Sequence, residues 1–283
     1  MKYLVIGATG NIGSRVTQRL IALGERPSVF ARNAKKAKVL FGEEVDIHAG
    51  DLETPRSSLA AALAGIEGVF LVSDGPDLDK QDRTVAFAAK SAGVRHVVKL
   101  STLDVHTGVG TGPWHARGEA AVRESGVAFT FIQAAGFMSN ALGWSDAIRE
   151  EGVLRSSTGK GKIAFIHPDD IADVAIAALT TRNHDSQSLV ITGPEALSYG
   201  EMAATIGGAV GKRVRFEELS DEQALAGVVG WAGKGPYADA LVDIWRAVRE
   251  GRLATVSDGV KQVIGRDPIP FNRWAEENAD AFQ

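Results

Sequence analysis

Short apolar segments alternate with longer segments of helical period through the first 135 residues of the chain. The short segments are continuous apolar runs, as in Leu4-Val5-Ile6, rather than in–out alternations. Such runs are typical of strands that helices cover on both faces, as in a parallel sheet. The predicted strands are 3–6, 27–31, 45–48, 68–72, 96–100 and 127–132, and the predicted helices are 12–23, 34–40, 57–64, 80–92 and 115–125.

Strand–helix alternation at this spacing predicts an α/β fold with a doubly wound parallel sheet. The second half of the chain is less regular and predicts a smaller C-terminal substrate lobe. We assign residues 1–135 to the sheet core, which 163–192 complete, and 136–162 and 193–283 to the lobe. Within the second half, 152–162 predict a turn or hairpin, 189–192 and 214–217 predict strands, and 171–179, 199–210, 239–249 and 271–282 predict helices.

The segment Gly7-Ala8-Thr9-Gly10-Asn11-Ile12-Gly13 follows the first strand and opens the first helix. Gly7 can turn sharply out of the strand, Gly10 lets a pyrophosphate approach the backbone, and Gly13 lets helix and strand pack closely. The unpaired amides of the first helical turn favour an anion. This context indicates a Rossmann domain that binds a dinucleotide; the alternative is a tight turn without a ligand.

The end of the second strand is where a carboxylate would hold the ribose 2′-hydroxyl of NAD. This chain has Phe30-Ala31-Arg32-Asn33 there, followed by Lys35 and Lys36. Because Arg can pair with a 2′-phosphate through two parallel hydrogen bonds, the sequence predicts NADPH as the cofactor, with NADH less favoured. The alternative is a solvated basic helix start.

Composition narrows the choice of partners. Lys and Arg total 31, Asp and Glu total 35, the formal net charge is −4, and Cys is absent. No direct nucleic-acid partner is expected without a basic excess, and no disulfide, thiolate nucleophile or Cys-ligated zinc can form, so we predict no metal site. The apolar start is too short for a signal peptide and no run approaches about 18 apolar residues. We therefore expect a cytoplasmic monomer or homodimer with no membrane partner and a small-molecule acceptor.

Other segments carry a family pattern. The segments most specific to one family are Trp114-His115-Ala116-Arg117-Gly118-Glu119 and Phe137-Met138-Ser139-Asn140. Matching segments also occupy residues 31–33, 50–52, 97–101, 125–127, 163–172 and 265–271. Together with the glycine motif, they make the chain resemble, almost end to end, the NmrA-like atypical branch of the short-chain dehydrogenase/reductase superfamily, and its quinone-oxidoreductase relatives in particular.

The resemblance implies a Rossmann sheet that holds NAD(P)H and a smaller C-terminal lobe over the nicotinamide. It implies cofactor contacts at Gly7, Thr9, Gly10, Asn11, Ile12 and Arg32. It also implies that Asp51 and Leu52 lie near the adenine and Ser73 near the ribose or pyrophosphate. Lys99 or Ser101, and Phe137, would lie near the nicotinamide.

The chain departs from the superfamily at its usual proton donor. Ordinary members use Tyr-x-x-x-Lys with a Ser, but Trp114 and Gly118 occupy that spacing here. The three tyrosines are Tyr3, Tyr199 and Tyr237, and none has Lys four residues later. We therefore predict hydride transfer without the usual Tyr/Lys acid.

Two residues are candidates for a catalytic role in place of the missing Tyr and Lys. His115 and Glu119 share a helix face at i and i+4, so Glu119 could orient the imidazole and raise its pKa to make it a usable acid. Ser101 ends the fifth strand, and open α/β sheets bind ligands at the carboxyl ends of strands. The alternatives are a solvated His–Glu pair and a helix-capping serine.

Three functions remain open at this point. The first is NADPH-dependent reduction of a quinone, an enone or another small carbonyl compound. The second is an NADP(H)-binding redox-sensing regulatory protein without turnover, which the missing Tyr and Lys favour. The third is an isomerase or epimerase that uses the cofactor transiently. The sequence does not identify the substrate.

Overall fold

The central element is a seven-stranded sheet. A computed structural model describes residues 1–53 and 56–283 of the chain. The strand order is β3-β2-β1-β4-β5-β6-β9, and the first five strands of this order pair in parallel with their neighbours. The strands are β1 (Tyr3–Ile6), β2 (Ser28–Ala31), β3 (Asp46–Ala49), β4 (Gly68–Leu71), β5 (His96–Thr102), β6 (Ala128–Ala134) and β9 (Gln187–Ile191). This order is that of a doubly wound sheet, so the predicted fold class is confirmed.

Helices connect successive strands of this sheet. They are α1 (Asn11–Ala22), α2 (Ala34–Phe41), α3 (Arg56–Leu63), α4 (Leu78–Ser91), α5 (Gly112–Glu124) and α7 (Pro168–Thr180). Each buries one apolar stripe, as α1 does with Ile12, Val16 and Leu20. Strands β1 and β4 are buried along their whole length, which explains their uninterrupted apolar sequences.

The chain divides into two compact units. The first contains residues 1–101, 114–133 and 171–189, and the second contains 102–113, 134–170 and 190–283. The core of the first unit is built around Leu4, Leu63, Val69 and Phe131. The second unit takes up about half of the chain, because the segments that follow β5 and β6 both belong to it. The sequence pattern favours a smaller unit.

The second unit joins short strands to several helices. Its elements are α6 (Ser145–Glu151), β7 (Val153–Ser156), β8 (Lys162–Ile163), β10 (Leu197–Ser198), α8 (Tyr199–Val210), β11 (Arg215–Glu218), α9 (Asp221–Ala232), α10 (Pro236–Arg249), α11 (Gly259–Ile264) and α12 (Phe271–Glu277). Short 3-10 turns occupy Leu103–His106, Met138–Trp144 and Ala279–Phe282. Its core includes Leu154, Phe165, Ile206 and Trp274.

Two local predictions for this unit need correction. Residues 152–162 contain a turn, closed by the Gly161 amide donating to the Thr158 carbonyl at 3.1 Å, but form no hairpin, because β7 pairs in parallel with β11 and β8 pairs antiparallel with β10. The sequence pattern also missed α9, whose interior glycines Gly227 and Gly230 weaken the helical signal. The signal that identifies α9 is a capping box, in which Ser220 and Gln223 bond each other's backbone amides.

Candidate cofactor and active site

The glycine turn joins β1 to α1 as a closely packed bend. Gly7 has a φ of +82°, and the amide of Gly10 donates to the Gly7 carbonyl at 3.0 Å. A Cβ on Gly13 would lie 2.1 Å from the Gly7 carbonyl oxygen, so only glycine fits there. Gly10 and Asn11 are exposed at the helix start, and no acidic side chain stands in this described first turn. A helix start of this kind favours an anion, because the amides of a first helical turn have no intrahelical acceptor and lie at the positive end of the helix dipole.

Arg32 directly follows β2, and its side chain is exposed. Residues 31–41, all described, contain no acid, and the Asn33 side chain caps α2 by accepting from the Lys36 amide at 2.9 Å. Asn33 is thus committed to the helix, and the exposed Lys35 and Lys36 add positive charge. The charged side chains at the end of β2 and the start of α2 are therefore all cationic.

Asp51 and Leu52 follow β3 and are both half-buried. Asp51 accepts a hydrogen bond from the amide of Glu53 at 3.0 Å, which fixes its carboxylate locally. Leu52 packs against the core of the first unit. Contacts of either residue with adenine remain predictions that rest on the family resemblance.

Lys99 and Ser73 come together with a third residue, Asp82 of α4. The Lys99 side chain is wholly buried on β5, and its Nζ lies 2.8 Å from Asp82 Oδ2, 3.2 Å from Ser73 Oγ and 3.3 Å from the Leu100 carbonyl oxygen. Ser73 donates its hydroxyl proton to Asp82 Oδ1 at 2.6 Å. We call Ser73, Asp82 and Lys99 the Lys99 cluster. Its charges are paired, as buried charges must be.

Ser101 is committed to Glu119. Its hydroxyl donates to Glu119 Oε1 at 2.7 Å, and the same oxygen accepts from Gln133 Nε2 at 2.9 Å. The other oxygen, Glu119 Oε2, accepts from Arg123 at 3.2 Å. Ser101, Glu119 and Gln133 are all buried. The neighbouring Thr102, rather than Ser101, caps the following 3-10 turn.

His115 does not have the partner that its spacing predicts. Its Nδ1 is buried and has no hydrogen-bond partner among the described residues. Burial, and then the positive charge of Lys99, lower the pKa of His115 to about 3. The prediction that Glu119 orients His115 and raises its pKa is therefore wrong, because Ser101, Gln133 and Arg123 occupy that carboxylate. His115 is a neutral imidazole at physiological pH.

Phe137 belongs to the second unit. It is half-buried, lies at the start of the 3-10 turn Met138–Trp144, and forms an isolated parallel bridge with Ile166. Its proximity to the nicotinamide remains a prediction from the resemblance.

Sequence reasoning missed Asp82 and Gln133. Asp82 lies on the buried face of α4 with Leu78, Val85 and Ala86. A charged residue at a position of an apolar stripe is the signal that could have identified it, because unpaired charges are almost never fully buried. Gln133 carries no comparable signal, because it stands in a strand that is buried through its last five residues.

Two kinds of feature are absent from residues 1–53 and 56–283. No helix there combines the length and the apolar character needed to cross a bilayer. No group of three or more His, Asp or Glu side chains in that part of the chain is arranged to hold a metal ion.

The glycine turn, the cations after β2 and the doubly wound sheet together define a nicotinamide-dinucleotide-binding class of protein. The chain belongs to the NmrA-like family, which matches residues 1–246. This result confirms the resemblance stated above.

Named relatives cover the whole chain. It is 38% identical to the NAD(P)H azoreductase of Xenophilus azovorans, with 99% of this chain and 98% of that protein covered. It is 37% identical to the (4-alkanoyl-5-oxo-2,5-dihydrofuran-3-yl)methyl phosphate reductase of Streptomyces griseus subsp. griseus, with 99% and 98% covered. Among solved structures, the NADPH-dependent quinone oxidoreductase of Escherichia coli complexed with NADPH superposes with a TM-score of 0.87 at 26% identity, over 97% of this chain and 99% of that one.

Proposed function

We propose that this protein is an NADPH-dependent oxidoreductase that transfers hydride to a quinone, an enone or another small carbonyl compound. The observation that carries the proposal is the glycine turn, where a Cβ on Gly13 would lie 2.1 Å from the Gly7 carbonyl oxygen and α1 begins without a side-chain cap or an acidic side chain. The relatives named above are reductases, which supports turnover rather than binding alone. The furanone relative's substrate has a C=C bond conjugated to carbonyl groups, so it is itself an enone.

A bound nicotinamide cofactor supplies the hydride, and the protein supplies position and electrostatics. The amides of the glycine turn hold the pyrophosphate, and Arg32 holds the 2′-phosphate. A quinone accepts hydride without a strong protein acid because the resulting oxyanion is well delocalised. An enone or simple carbonyl compound depends more on a hydrogen-bond donor to its oxygen.

The hydrogen-bond donor that we propose for the acceptor oxygen is His115. The Ser101 hydroxyl already donates its hydrogen bond to Glu119, and the ammonium of Lys99 faces Asp82, Ser73 and the Leu100 carbonyl. A neutral imidazole keeps one N–H, which can polarise a carbonyl without titrating near neutrality. His115 in this role is a hydrogen-bond donor rather than an imidazolium acid.

Replacing Arg32 with Asp is expected to reduce the preference for NADPH over NADH by about 10- to 100-fold, because hydrogen bonds to a charged group contribute roughly 1.5–3 kcal/mol. Calorimetric titration with both cofactors measures the ratio of the two dissociation constants. Lys160→Asp makes the same charge change at an exposed position of the second unit and should leave that ratio unchanged. A constant ratio in Arg32→Asp would exclude Arg32 as the phosphate-binding residue.

Replacing His115 with Ala is expected to lower kcat about 100- to 1000-fold at saturating NADPH, the range observed for loss of one donor to a developing oxyanion. Because the pKa of His115 is about 3, kcat should show no imidazole inflection near neutral pH. His115→Gln keeps an N–H donor and should recover part of the rate. An unchanged rate in His115→Ala removes His115 from the reaction.

The proposed activity is tested with NADPH and a panel of quinones, enones and azo dyes, by following the loss of nicotinamide absorbance. We expect turnover with at least one acceptor class. Tight NADPH binding without turnover on any acceptor would overturn the proposal and favour the redox-sensing alternative. The competing isomerase function predicts turnover without net consumption of NADPH.

A further inference from the structure

The direction of each hydrogen bond in the Lys99 cluster is fixed by chemistry. An ammonium group can only donate and an ionised carboxylate can only accept. Ser73 therefore accepts from Lys99 Nζ at 3.2 Å and donates its single proton to Asp82 Oδ1 at 2.6 Å. One lone pair of the Ser73 oxygen remains, and the hydroxyl has no proton to offer a ligand.

Asp82 is held in this arrangement from a second side. Gly118 of α5 approaches so closely that a Cβ there would lie 2.0 Å from Asp82 Oδ2. Asp82 and Lys99 are wholly buried, so water does not compete for their contacts. The Ser73 hydroxyl is consequently preset before any ligand arrives.

Ser73 stands beside the glycine turn. The amide of Val72 donates to the Ile6 carbonyl at 3.3 Å, and Val72 Cβ lies 2.9 Å from the place of a Cβ on Gly7. Ser73 is the next residue. A dinucleotide whose pyrophosphate binds this turn carries ribose hydroxyl groups on both sides of it. Phosphate oxygens only accept hydrogen bonds, whereas ribose hydroxyls can donate, so a preset acceptor fits the ribose and not the pyrophosphate.

We propose that Asp82 is a positioning residue that fixes the Ser73 hydroxyl as a hydrogen-bond acceptor for a ribose hydroxyl of the nicotinamide cofactor. This inference rests on the proposed function and narrows the predicted ribose or pyrophosphate contact of Ser73 to the ribose. Asp82 touches no ligand itself; it acts through the direction of the Ser73 proton.

The experiment measures the affinity of NADPH and of NADPH analogues in which fluorine replaces one ribose hydroxyl, by calorimetry. Fluorine has no proton to donate, so one analogue should bind the wild-type protein about fivefold more weakly than NADPH, the value of one neutral hydrogen bond. In Ser73→Ala that ratio should fall to near one. Analogues fluorinated on the nicotinamide ribose and on the adenosine ribose show which sugar is bound.

Asp82→Asn separates positioning from a structural role. An asparagine amide can donate to Ser73 and free its proton, so the ratio should again approach one, whereas a merely structural defect weakens NADPH and its analogues equally and leaves the ratio at the wild-type value. Asp82→Asn combined with Lys99→Met avoids an unpaired buried ammonium if the single variant does not fold. Ser91→Ala, an exposed serine of the same helix, should keep the wild-type ratio.

The outcomes distinguish the two proposals. If NADPH itself gives no heat of binding, the proposed function fails. If NADPH binds but no fluorinated analogue binds more weakly, or the ratio persists in Ser73→Ala, only the inference about the ribose fails. If the ratio persists in both Asp82 variants, Asp82 does not set the direction of the Ser73 proton.

Discussion

Gly13→Ala is expected to reduce the affinity for NADPH by about 100-fold or more and to destabilise the protein by about 2–4 kcal/mol. The added Cβ would lie 2.1 Å from the Gly7 carbonyl oxygen, 2.6 Å from the Gly7 carbonyl carbon and 3.0 Å from Ala8 Cα. All three are backbone atoms, so no side-chain rotation relieves the clash. The turn must open, and the amides that would hold the pyrophosphate lose their geometry. Calorimetry and urea denaturation measure the two effects.

Gly208→Ala is the matched control for this change. Gly208 lies inside α8, where an added Cβ meets nothing within 4 Å. Alanine is the better helix former, so stability should rise by up to about 1 kcal/mol while NADPH affinity stays at the wild-type value. Wild-type affinity in Gly13→Ala would mean that the cofactor does not bind at this turn.

Asp82→Ala should destabilise the protein by about 3–5 kcal/mol, because it leaves the buried ammonium of Lys99 without its carboxylate. Lys99→Met leaves a buried carboxylate and should cost a similar amount. The double variant Asp82→Leu with Lys99→Met should recover most of the loss, since replacing both members of a buried pair by apolar residues is often neutral. Urea unfolding of the wild-type protein, Asp82→Leu, Lys99→Met and the double variant gives the coupling free energy.

An exposed ion pair of the same region provides the comparison. Asp77 Oδ1 and Lys80 Nζ lie 2.7 Å apart at the start of α4, with 72% and 74% of their side chains exposed. Solvent screening makes such pairs weak, so Asp77→Ala should change the free energy of unfolding by less than about 1 kcal/mol. Equal changes in the free energy of unfolding for Asp77→Ala and Asp82→Ala would contradict the interpretation that burial strengthens the interactions of the Lys99 cluster.

The buried carboxylates of Asp82 and Glu119 in the first unit also limit which side chains can donate a hydrogen bond to a substrate. Asp82 accepts the hydrogen bond of the Ser73 hydroxyl, and Glu119 accepts that of the Ser101 hydroxyl. A serine at the end of β5 therefore cannot donate to an acceptor oxygen while Glu119 is ionised and the contact is kept. This geometry favours His115 over Ser101 for the proposed donor role.

Local features of the chain were predictable from the sequence. The glycine turn lies within a segment of seven residues, Gly7 to Gly13, and it needs glycine where a side chain would be strained or would clash. The strands β1 and β4 are covered on both faces, so their apolar runs identify them without any knowledge of their partners. The missing carboxylate near Arg32 is likewise a property of neighbouring residues.

The partners of buried polar groups were not predictable. The i,i+4 spacing of His115 and Glu119 correctly places both on one helix. It does not show that Ser101 of β5 and Gln133 of β6 donate hydrogen bonds to the Glu119 carboxylate. The order of strands in the sheet determines which side chains lie beside Glu119. The same holds for Asp82, which meets Lys99 only because α4 packs over β5.

The sequence by itself determined the fold class, the glycine turn and the positive charge at the end of β2, because periodicity, glycine conformation and local charge act over a few residues. Only the tertiary structure decided that the hydroxyls of Ser73 and Ser101 donate to carboxylates and that burial and Lys99 lower the pKa of His115. The physical reason is that burial strengthens electrostatic interactions between residues far apart in the chain, and their distances exist only in the folded state.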